Sequence, residues 1–303
     1  MSTRNFVDVF EANRQFLLGL AYRLLGRYTE AEDLVQETYL RWHRLCLENV
    51  EVRNPKAYLS RILTRLFLDY QRSARVRKEE YVGPWLPEPV LENQLQPVAQ
   101  EDGGASVFEG FRDLSYALML TLERLSPLER AAFILHDVFS MPFSEIALSL
   151  GKTEAACRQL ASRARKHIRE DKKRFAVQQE LLDRLIPAFK RAVDTQDMAS
   201  LSELLARDAV LYSDGGGLVP AALLPIYGSG RILGFLAGVW KKFAPEYEIK
   251  RVMLNGEPAL CFWRSSVLEQ VFMILRNESG QVSEICVIRS PEKLKHLGDL
   301  SST

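Results

Sequence analysis

The stretch "MPFSEIALSLGKTEAACRQLASRARKHI", residues 141–168, sets the reading of the whole chain. A short apolar run through Ile146, Ala147 and Leu150 meets Gly151, which takes the left-handed conformation that closes a helix without a steric penalty. Thr153 then caps a second helix, whose Cys157, Leu160, Ala161, Ala164 and Ile168 share one face. Arg158, Gln159, Ser162, Arg163, Arg165 and Lys166 are left outside. A short helix, a glycine turn and a capped second helix are the outline of a helix-turn-helix. Arginine and glutamine read base edges bidentately in the major groove, and lysine and serine suit phosphate. A solvated basic helix end, favoured by the helix dipole, is the competing reading. It does not call for the preceding helix, turn and cap, so DNA contact is the better account.

Working outward, 303 residues allow two or three domains with separate cores. No apolar run has the length of a membrane span, and "MSTRNFVDVFEANRQ" lacks the apolar centre of a signal peptide. Cys46, Cys157, Cys261 and Cys286 show no CxxC pairing, which suits reduced thiols in a cytoplasmic protein and offers no metal site or cofactor. The net charge of +1 hides a segregation. Residues 53–78 hold eight Lys/Arg against Asp69, residues 79–113 hold eight acids against Arg112, and residues 152–174 hold nine basic residues against three acids. Two cationic segments divided by an acidic connector suggest two polyanion contacts.

The N-terminal block is helical. Phe10, Leu17, Leu20, Ala21 and Leu24 recur at helical spacing up to Gly26. Thr29 and Glu32 read as a capping box opening a second helix with the stripe Ala31, Leu34, Val35, Thr38 and Trp42. Asn54 and Pro55 open a third, with Leu59, Ile62, Leu63, Leu66 and Phe67 inward and Arg61, Arg65, Asp69 and Arg72 outward. Tyr70 reads either as core filler or as a stacking platform for an unpaired base. Helices resume near Leu114, with "SPLER" at 126–130 as another capped start. From about residue 176 the texture changes. Helices at 177–193 and 197–206 lead to "AVLYSDGGGLVPAALLPIYG", a helical stretch at 229–242 follows, and three β-rich segments close the chain: "YEIKRVML", "PALCFWRSSVLEQVFMILR" and "SEICVIRS", with "NGEP" and "NESG" as turns. That order predicts an α+β domain with a curved antiparallel sheet.

The connector carries "VGPWLPEPV" at 82–90. Three prolines exclude helix or central strand and pre-set an extended conformation, so little entropy is lost on docking. Trp85 offers an apolar anchor. From the residues alone two readings stay open: a latch onto the C-terminal domain near Asp214, Gly215, Gly216 and Gly217, or a Trp85 that plugs the back of the first domain while the glycines make a hairpin.

"AEDLVQETYLRWHR" with "NPKAYLSRILTRLFLDYQRSARVR" resembles region 2 of an extracytoplasmic-function (ECF) sigma factor. "LERLSPLERAAFILHDVFSMPFSEIALSLGKTEAACRQLASRARKHI" resembles region 4 of the same family, in the family's order. The resemblance implies that Asp33, Leu34, Gln36, Glu37 and Tyr39 lie on the helix that docks on the clamp of core RNA polymerase. It implies that Asn54, Arg61, Arg65, Tyr70 and Arg72 serve the −10 element of promoter DNA, and that Arg158, Gln159, Ser162, Arg163 and Lys166 enter the −35 element. The tail is similar to a SnoaL-like domain, a cone of the NTF2-like superfamily, and a sigma J-like group of ECF factors carries such an extension. "WLPEP" at 85–89, "SDGGGL" at 213–218 and "NGEP" at 255–258 match that group's pattern, with Leu218 standing where a basic residue is more usual. This favours the latch, with regulatory contacts from Trp85, Leu86, Pro87, Glu88, Pro89, Asp214, Gly215, Gly216, Gly217, Asn255 and Pro258.

The expectation is a multidomain chain: region 2 helical bundle at 5–78, acidic linker at 79–113, region 4 helix-turn-helix at 114–175, and an α+β SnoaL-like domain at 176–300. Its function is then that of a cytoplasmic sigma factor, monomeric when free, adjusted by its tail, with a small ligand for that tail left open. A ligand-sensing helix-turn-helix regulator is one alternative. Another is a SnoaL-type cyclase or isomerase in which Glu269, with Arg264 the other polar exception in an apolar segment, would act as a base; an edge or outward position suits that carboxylate better.

Overall fold

The computed structural model describes residues 3–48, 52–79, 81–91, 94–95, 115–170, 175–176, 179–195, 199–243 and 247–302. The connector's Pro97 and its Gly103-Gly104 pair lie outside these. The chain forms two compact units. One comprises residues 1–80, 92–114 and 118–171, and the other comprises residues 81–91, 115–117 and 172–303.

The first unit is helical: α1 (Thr3–Leu25), α2 (Tyr28–Leu47), α3 (Pro55–Glu79), most of α4 (Tyr116–Leu122), α5 (Pro127–Phe133), α6 (Phe143–Leu150) and α7 (Glu154–Glu170). The apolar stripes read from the sequence are its core: Leu17, Leu20, Ala21 and Leu24 of α1, Ala31, Val35 and Trp42 of α2, and Leu59, Leu63 and Phe67 of α3 are buried. Ile62 is only half-buried. Trp42 Nε1 donates to the Phe6 carbonyl at 2.8 Å, so the indole's polar edge is satisfied inside the core. Helix α2 starts at Tyr28, one residue before the expected capping Thr29, and the Ala31 N–H bonds the Arg27 carbonyl. Ser126 and Glu129 do form a reciprocal capping box at α5. Helix α5 runs on into one π turn, Ile134–Val138, which no sequence pattern signals.

Regions distant in sequence pack together within this unit. Arg130 is buried and donates to Glu123 Oε1 at 2.5 Å and to the Leu24 carbonyl at 2.8 Å, placing a cation at the carbonyl end of α1. Phe16 meets Phe139 edge-on at 4.8 Å, and Lys56 lies 4.7 Å over the Phe16 ring.

The second unit is α+β. Among the described residues, helices α8 (Gln179–Thr195), α9 (Ala199–Leu204) and α10 (Ser229–Phe243) accompany seven strands: β1 (Phe175–Ala176), β2 (Leu205–Asp214), β3 (Ile226–Tyr227), β4 (Glu248–Leu254), β5 (Glu257–Arg264), β6 (Val267–Arg276) and β7 (Val282–Ile288). The sheet order is β3-β2-β7-β6-β5-β4, with β1 on β6. A helix α11 (Pro291–Leu294) and a 3-10 turn, Lys295–Ser302, follow. Leu182 and Ala209, Leu211 and Ile232, Leu260 and Ile274, and Ile285 all belong to one apolar core.

Two details correct the sequence reading. The sheet is not wholly antiparallel, because β2 pairs β7 in parallel, from Val210 opposite Glu284 to Asp214 opposite Ile288. The long segment 258–276 is two strands joined at Ser265 and Ser266, both in the left-handed region with φ of 48° and 65°, where serines stand in for the glycine or asparagine expected at a tight hairpin. Asn255 and Gly256, with φ of 53° and 71°, make the corresponding turn between β4 and β5.

Candidate nucleic-acid interface and the Asp214 latch

Helix α7 presents one chemical face. Gly151 closes α6 at φ 62° and ψ 40°, and Thr153 Oγ1 accepts from the Ala156 N–H at 3.2 Å, so the turn is fixed at both ends. Cys157, Ala161, Ala164 and Ile168 are buried, while Arg158, Gln159, Ser162, Arg163 and Lys166 are all exposed. Arg165 departs from the expected outward set. It turns back to Asp137 Oδ1 at 2.8 Å and to His136 Nδ1 at 3.2 Å, anchoring α7 instead of serving a ligand. Ser162, Arg165, Lys166 and Arg169 line an open depression of about 420 Å³. Burial pushes the Cys157 thiol up, and that of Cys261 to about 12, so both stay protonated and unreactive.

Helix α3 is placed differently. Asn54 caps it through the Ala57 N–H at 3.2 Å and also donates to Glu145 Oε1 of α6 at 3.1 Å. Arg65 is exposed, yet its Nη2 donates to the Leu148 carbonyl of α6 at 3.1 Å. Arg61 lies over the Tyr58 ring at 5.4 Å, and Arg72 pairs with Asp69 at 3.3 Å. Tyr70 is half-buried; burial, then the neighbouring Glu30 carboxylate, raises its phenol pKa. Its hydroxyl end is thus occupied by protein. On α2, Asp33 and Gln36 are exposed, Glu37 pairs with Arg41 at 3.1 Å, Tyr39 packs on Phe10 at 4.9 Å, and Leu34 points inward.

In the second unit, residues 81–91 form a strap. Two of its N–H donors, those of Leu86 and Val90, are bonded, and Pro87 and Pro89 have none to satisfy. Asp214, at 0% exposure, is the centre. Its Oδ1 accepts from the Tyr81 hydroxyl at 2.5 Å and the Gly216 N–H at 3.0 Å. Its Oδ2 accepts from the Leu86 N–H at 2.8 Å and from Lys293 Nζ at 2.7 Å. Lys293, 1% exposed, also donates to the Leu86 carbonyl at 2.5 Å and lies 4.1 Å over the Trp85 ring. Trp85 is therefore a lid on a buried cation and is itself half-buried; Leu86, Pro87, Glu88, Pro89 and Val90 are the buried part of the strap. Farther along, Tyr116 donates to the Pro87 carbonyl at 3.0 Å, His296 Nε2 donates to the Pro89 carbonyl at 2.8 Å, and Asn255 exchanges two bonds with Val90, at 2.8 and 3.0 Å.

The glycines have separate reasons. A Cβ on Gly216, at φ 65°, would meet Ser290 Oγ at 2.5 Å, and one on Gly215 would collide with the Val219 carbonyl. Gly217 is exposed and passes over Val82. Pro258 stays in the β4–β5 ladder opposite Met253. Sequence reasoning missed Tyr81 and Lys293. The only local hint of the latter is the Ser290-Pro291 helix start that places Lys293 on α11.

Glu269 is fully engaged. Arg264 holds it with Nε and Nη2 at 2.8 Å each, and the Tyr247 hydroxyl donates at 2.7 Å, so no lone carboxylate is left to act as a base. Burial, then this bond, raises the Tyr247 pKa.

The Sigma-70 region 2 family model matches residues 9–77 and the Sigma-70 region 4 model residues 115–168. The chain is 38% identical over 302 residues to the ECF RNA polymerase sigma factor SigJ of Mycobacterium tuberculosis, covering 95% of this chain and 92% of that protein. It is 28% identical over 294 residues to the probable ECF sigma factor SigI of the same species, covering 95% and 94%. The crystal structure of the M. tuberculosis SigJ superposes with a TM-score of 0.69 at 32% identity, covering 95% of this chain and 98% of that one. Among the described residues no helix is long and apolar enough to cross a membrane. The chain thus belongs to the ECF RNA polymerase sigma factors, promoter-directing transcription initiation factors that partner core RNA polymerase and DNA and are not enzymes.

Proposed function

We propose that residues 5–78 and 114–175 act as the two promoter-binding domains of a cytoplasmic, monomeric sigma factor, and that the domain from 176 onward regulates them through the strap in the 79–113 connector. One observation carries the α7 assignment: Arg158, Gln159, Ser162, Arg163 and Lys166 are exposed together on a helix whose opposite face is locked by Ala161, Ala164 and Ile168. That face reads the −35 element, with arginine and glutamine at base edges and lysine and serine at phosphates. Asn54, Arg61, Arg65, Tyr70 and Arg72 supply the −10 contacts, and the helix that carries Asp33, Leu34, Gln36, Glu37 and Tyr39 faces core polymerase.

Asn54 and Arg65 are bonded to α6 in this structure, so −10 engagement requires α3 to exchange those bonds for DNA. The strap lies in the chain between α3 and α5. Fastening it to Asp214, Asn255 and Lys293 shortens the free connector available for that exchange. Any small ligand of the C-terminal domain would act through the same fastening.

Run-off transcription with core polymerase tests this. The paired change Arg158→Ala and Arg163→Ala abolishes promoter-specific initiation while leaving polymerase association intact. A chain ending near residue 176 associates with polymerase but transcribes at a changed level. Full initiation by the double variant would remove the α7 assignment, and unchanged transcription by the shortened chain would remove the regulatory one.

A further inference from the structure

At the far end of the strap from Asp214 sits a carboxyl group that the latch does not use. Glu257, the first residue of β5, is 4% exposed, and neither of its carboxyl oxygens has a hydrogen-bond partner. It stands opposite Leu254 in the β4–β5 ladder, and Leu254 forms an isolated bridge with Leu91 of the strap. Two residues earlier, Asn255 at the apex of the same hairpin exchanges two bonds with Val90. Tyr116, whose hydroxyl holds the Pro87 carbonyl, approaches Glu257 with its backbone. The β4–β5 hairpin and Tyr116, which both hold the C-terminal half of the strap, therefore border this one side chain.

We propose that Glu257 is a proton-gated support of the strap: protonated, it lets residues 87–91 stay seated, and ionised, it releases them. A buried carboxylate with only the Tyr116 backbone to oppose its desolvation is costly, and lifting the strap to admit water relieves that cost. The ionisable side chains on the surrounding elements include Tyr81 and Glu88 of the strap, Tyr116 of α4, Lys295 and His296 after α11, Glu248, Lys250 and Arg251 of β4, and Cys261 and Arg264 of β5. None of them acts on Glu257 by charge. Burial pushes its pKa up to about 8, opposed only by the Tyr116 backbone.

The sign follows from proton counting. A seated Glu257 binds its proton more tightly than a released one, so seating is full at low pH and weakens as pH rises between the ordinary carboxylate range and about 8. Above that value the dependence flattens. The device thus loosens the latch on alkalinisation. It rests on the strap reading made above.

Hydrogen exchange in the full-length chain tests it, read at the Leu86 and Val90 amides and corrected for the intrinsic pH dependence of exchange. Between pH 6 and pH 8 protection at Val90 should fall by approaching about tenfold per unit. In Glu257→Gln, which stays neutral, protection should be flat with pH. Wild-type protection that runs parallel to Glu257→Gln overturns the proposal. Should Glu257→Gln fail to fold, the carboxyl titration of Glu257 by carbon-13 NMR in the wild type decides, and a midpoint below about pH 6 overturns it. A strap that exchanges freely at pH 6 in both proteins sinks the latch and this inference together. The sigma-factor assignment is untouched by any of these outcomes, because no polymerase enters the experiment.

Discussion

Two ion pairs in this molecule have the same length and opposite significance. Lys293 Nζ lies 2.7 Å from Asp214 Oδ2 with the side chains 1% and 0% exposed, and Arg158 Nη2 lies 2.7 Å from Glu154 Oε2 with the side chains 58% and 46% exposed. Water competes freely for the second pair and salt screens it, so its net worth is small and it opens readily for another anion. The first has given up its hydration and depends wholly on what surrounds it: two further donors on Asp214 Oδ1, the Leu86 amide on Oδ2, and the Leu86 carbonyl and Trp85 ring on Lys293. One pair is built to stay closed, and the other, on the proposed reading of α7, to be exchanged for DNA. The difference lies in burial, not in distance.

The sharpest way to break that contrast is to remove one buried partner. Asp214→Ala leaves the Lys293 ammonium without its counter-charge and frees the Tyr81 hydroxyl and Leu86 amide. It should destabilise the C-terminal unit by about 3–5 kcal/mol, read by thermal or denaturant unfolding. Adding Lys293→Met to it removes the stranded charge and should recover much of the loss. A single variant that costs less than about 1 kcal/mol would show that the pair is solvated after all.

Trp85→Ala comes next. It leaves the ion pair in place but uncovers Lys293, removing a desolvated cation–π contact of about 2 kcal/mol. The strap should then open more often, seen as faster protease cleavage between residues 79 and 91 with little change in the melting of the helical unit. Unchanged cleavage would mean that Leu86 and Val90, which are fully buried, hold the strap without the indole.

What could be read from the sequence follows the same division. The α7 face was legible because its information is local: a glycine, a cap and a 3.6-residue period fix which side chains face out. The strap was legible as a stiff, extended segment because its prolines exclude helix and central strand, but the residues alone left open whether Trp85 docks on the first domain or the last. Its partner was only half legible. Asp214 and its glycines mark themselves by composition, but Lys293 is 79 residues further on, in a segment where one lysine looks like any surface lysine. The parallel pairing of β2 with β7 was hidden for the same reason, since strand direction is decided by chain path and not by alternation. Glu257 was hidden too: in "NGEP" it reads as a turn residue, and only the tertiary fold makes it a buried acid.

The smallest expected effects lie at the exposed pair, where they separate binding from stability. Glu154→Ala removes the counter-charge of Arg158 and should change folding stability by less than about 0.5 kcal/mol, because both side chains are hydrated in either state. Arg158 also lies 5.4 Å over the Phe143 ring, so it keeps a surface to rest on and remains directed away from the α7 core. Promoter-specific transcription by Glu154→Ala should therefore equal or exceed that of the wild type at low salt, the gain fading as salt rises. Arg158→Ala should be equally silent in unfolding experiments yet cost about 1–3 kcal/mol of discrimination between the cognate −35 sequence and a single-base variant. If Arg158→Ala instead weakens binding uniformly across sequences, its guanidinium holds phosphate and the base reading falls to Gln159 and Arg163. A variant that unfolds the helical unit would show that the exposed pair is structural, and the contrast with Asp214 and Lys293 would be lost.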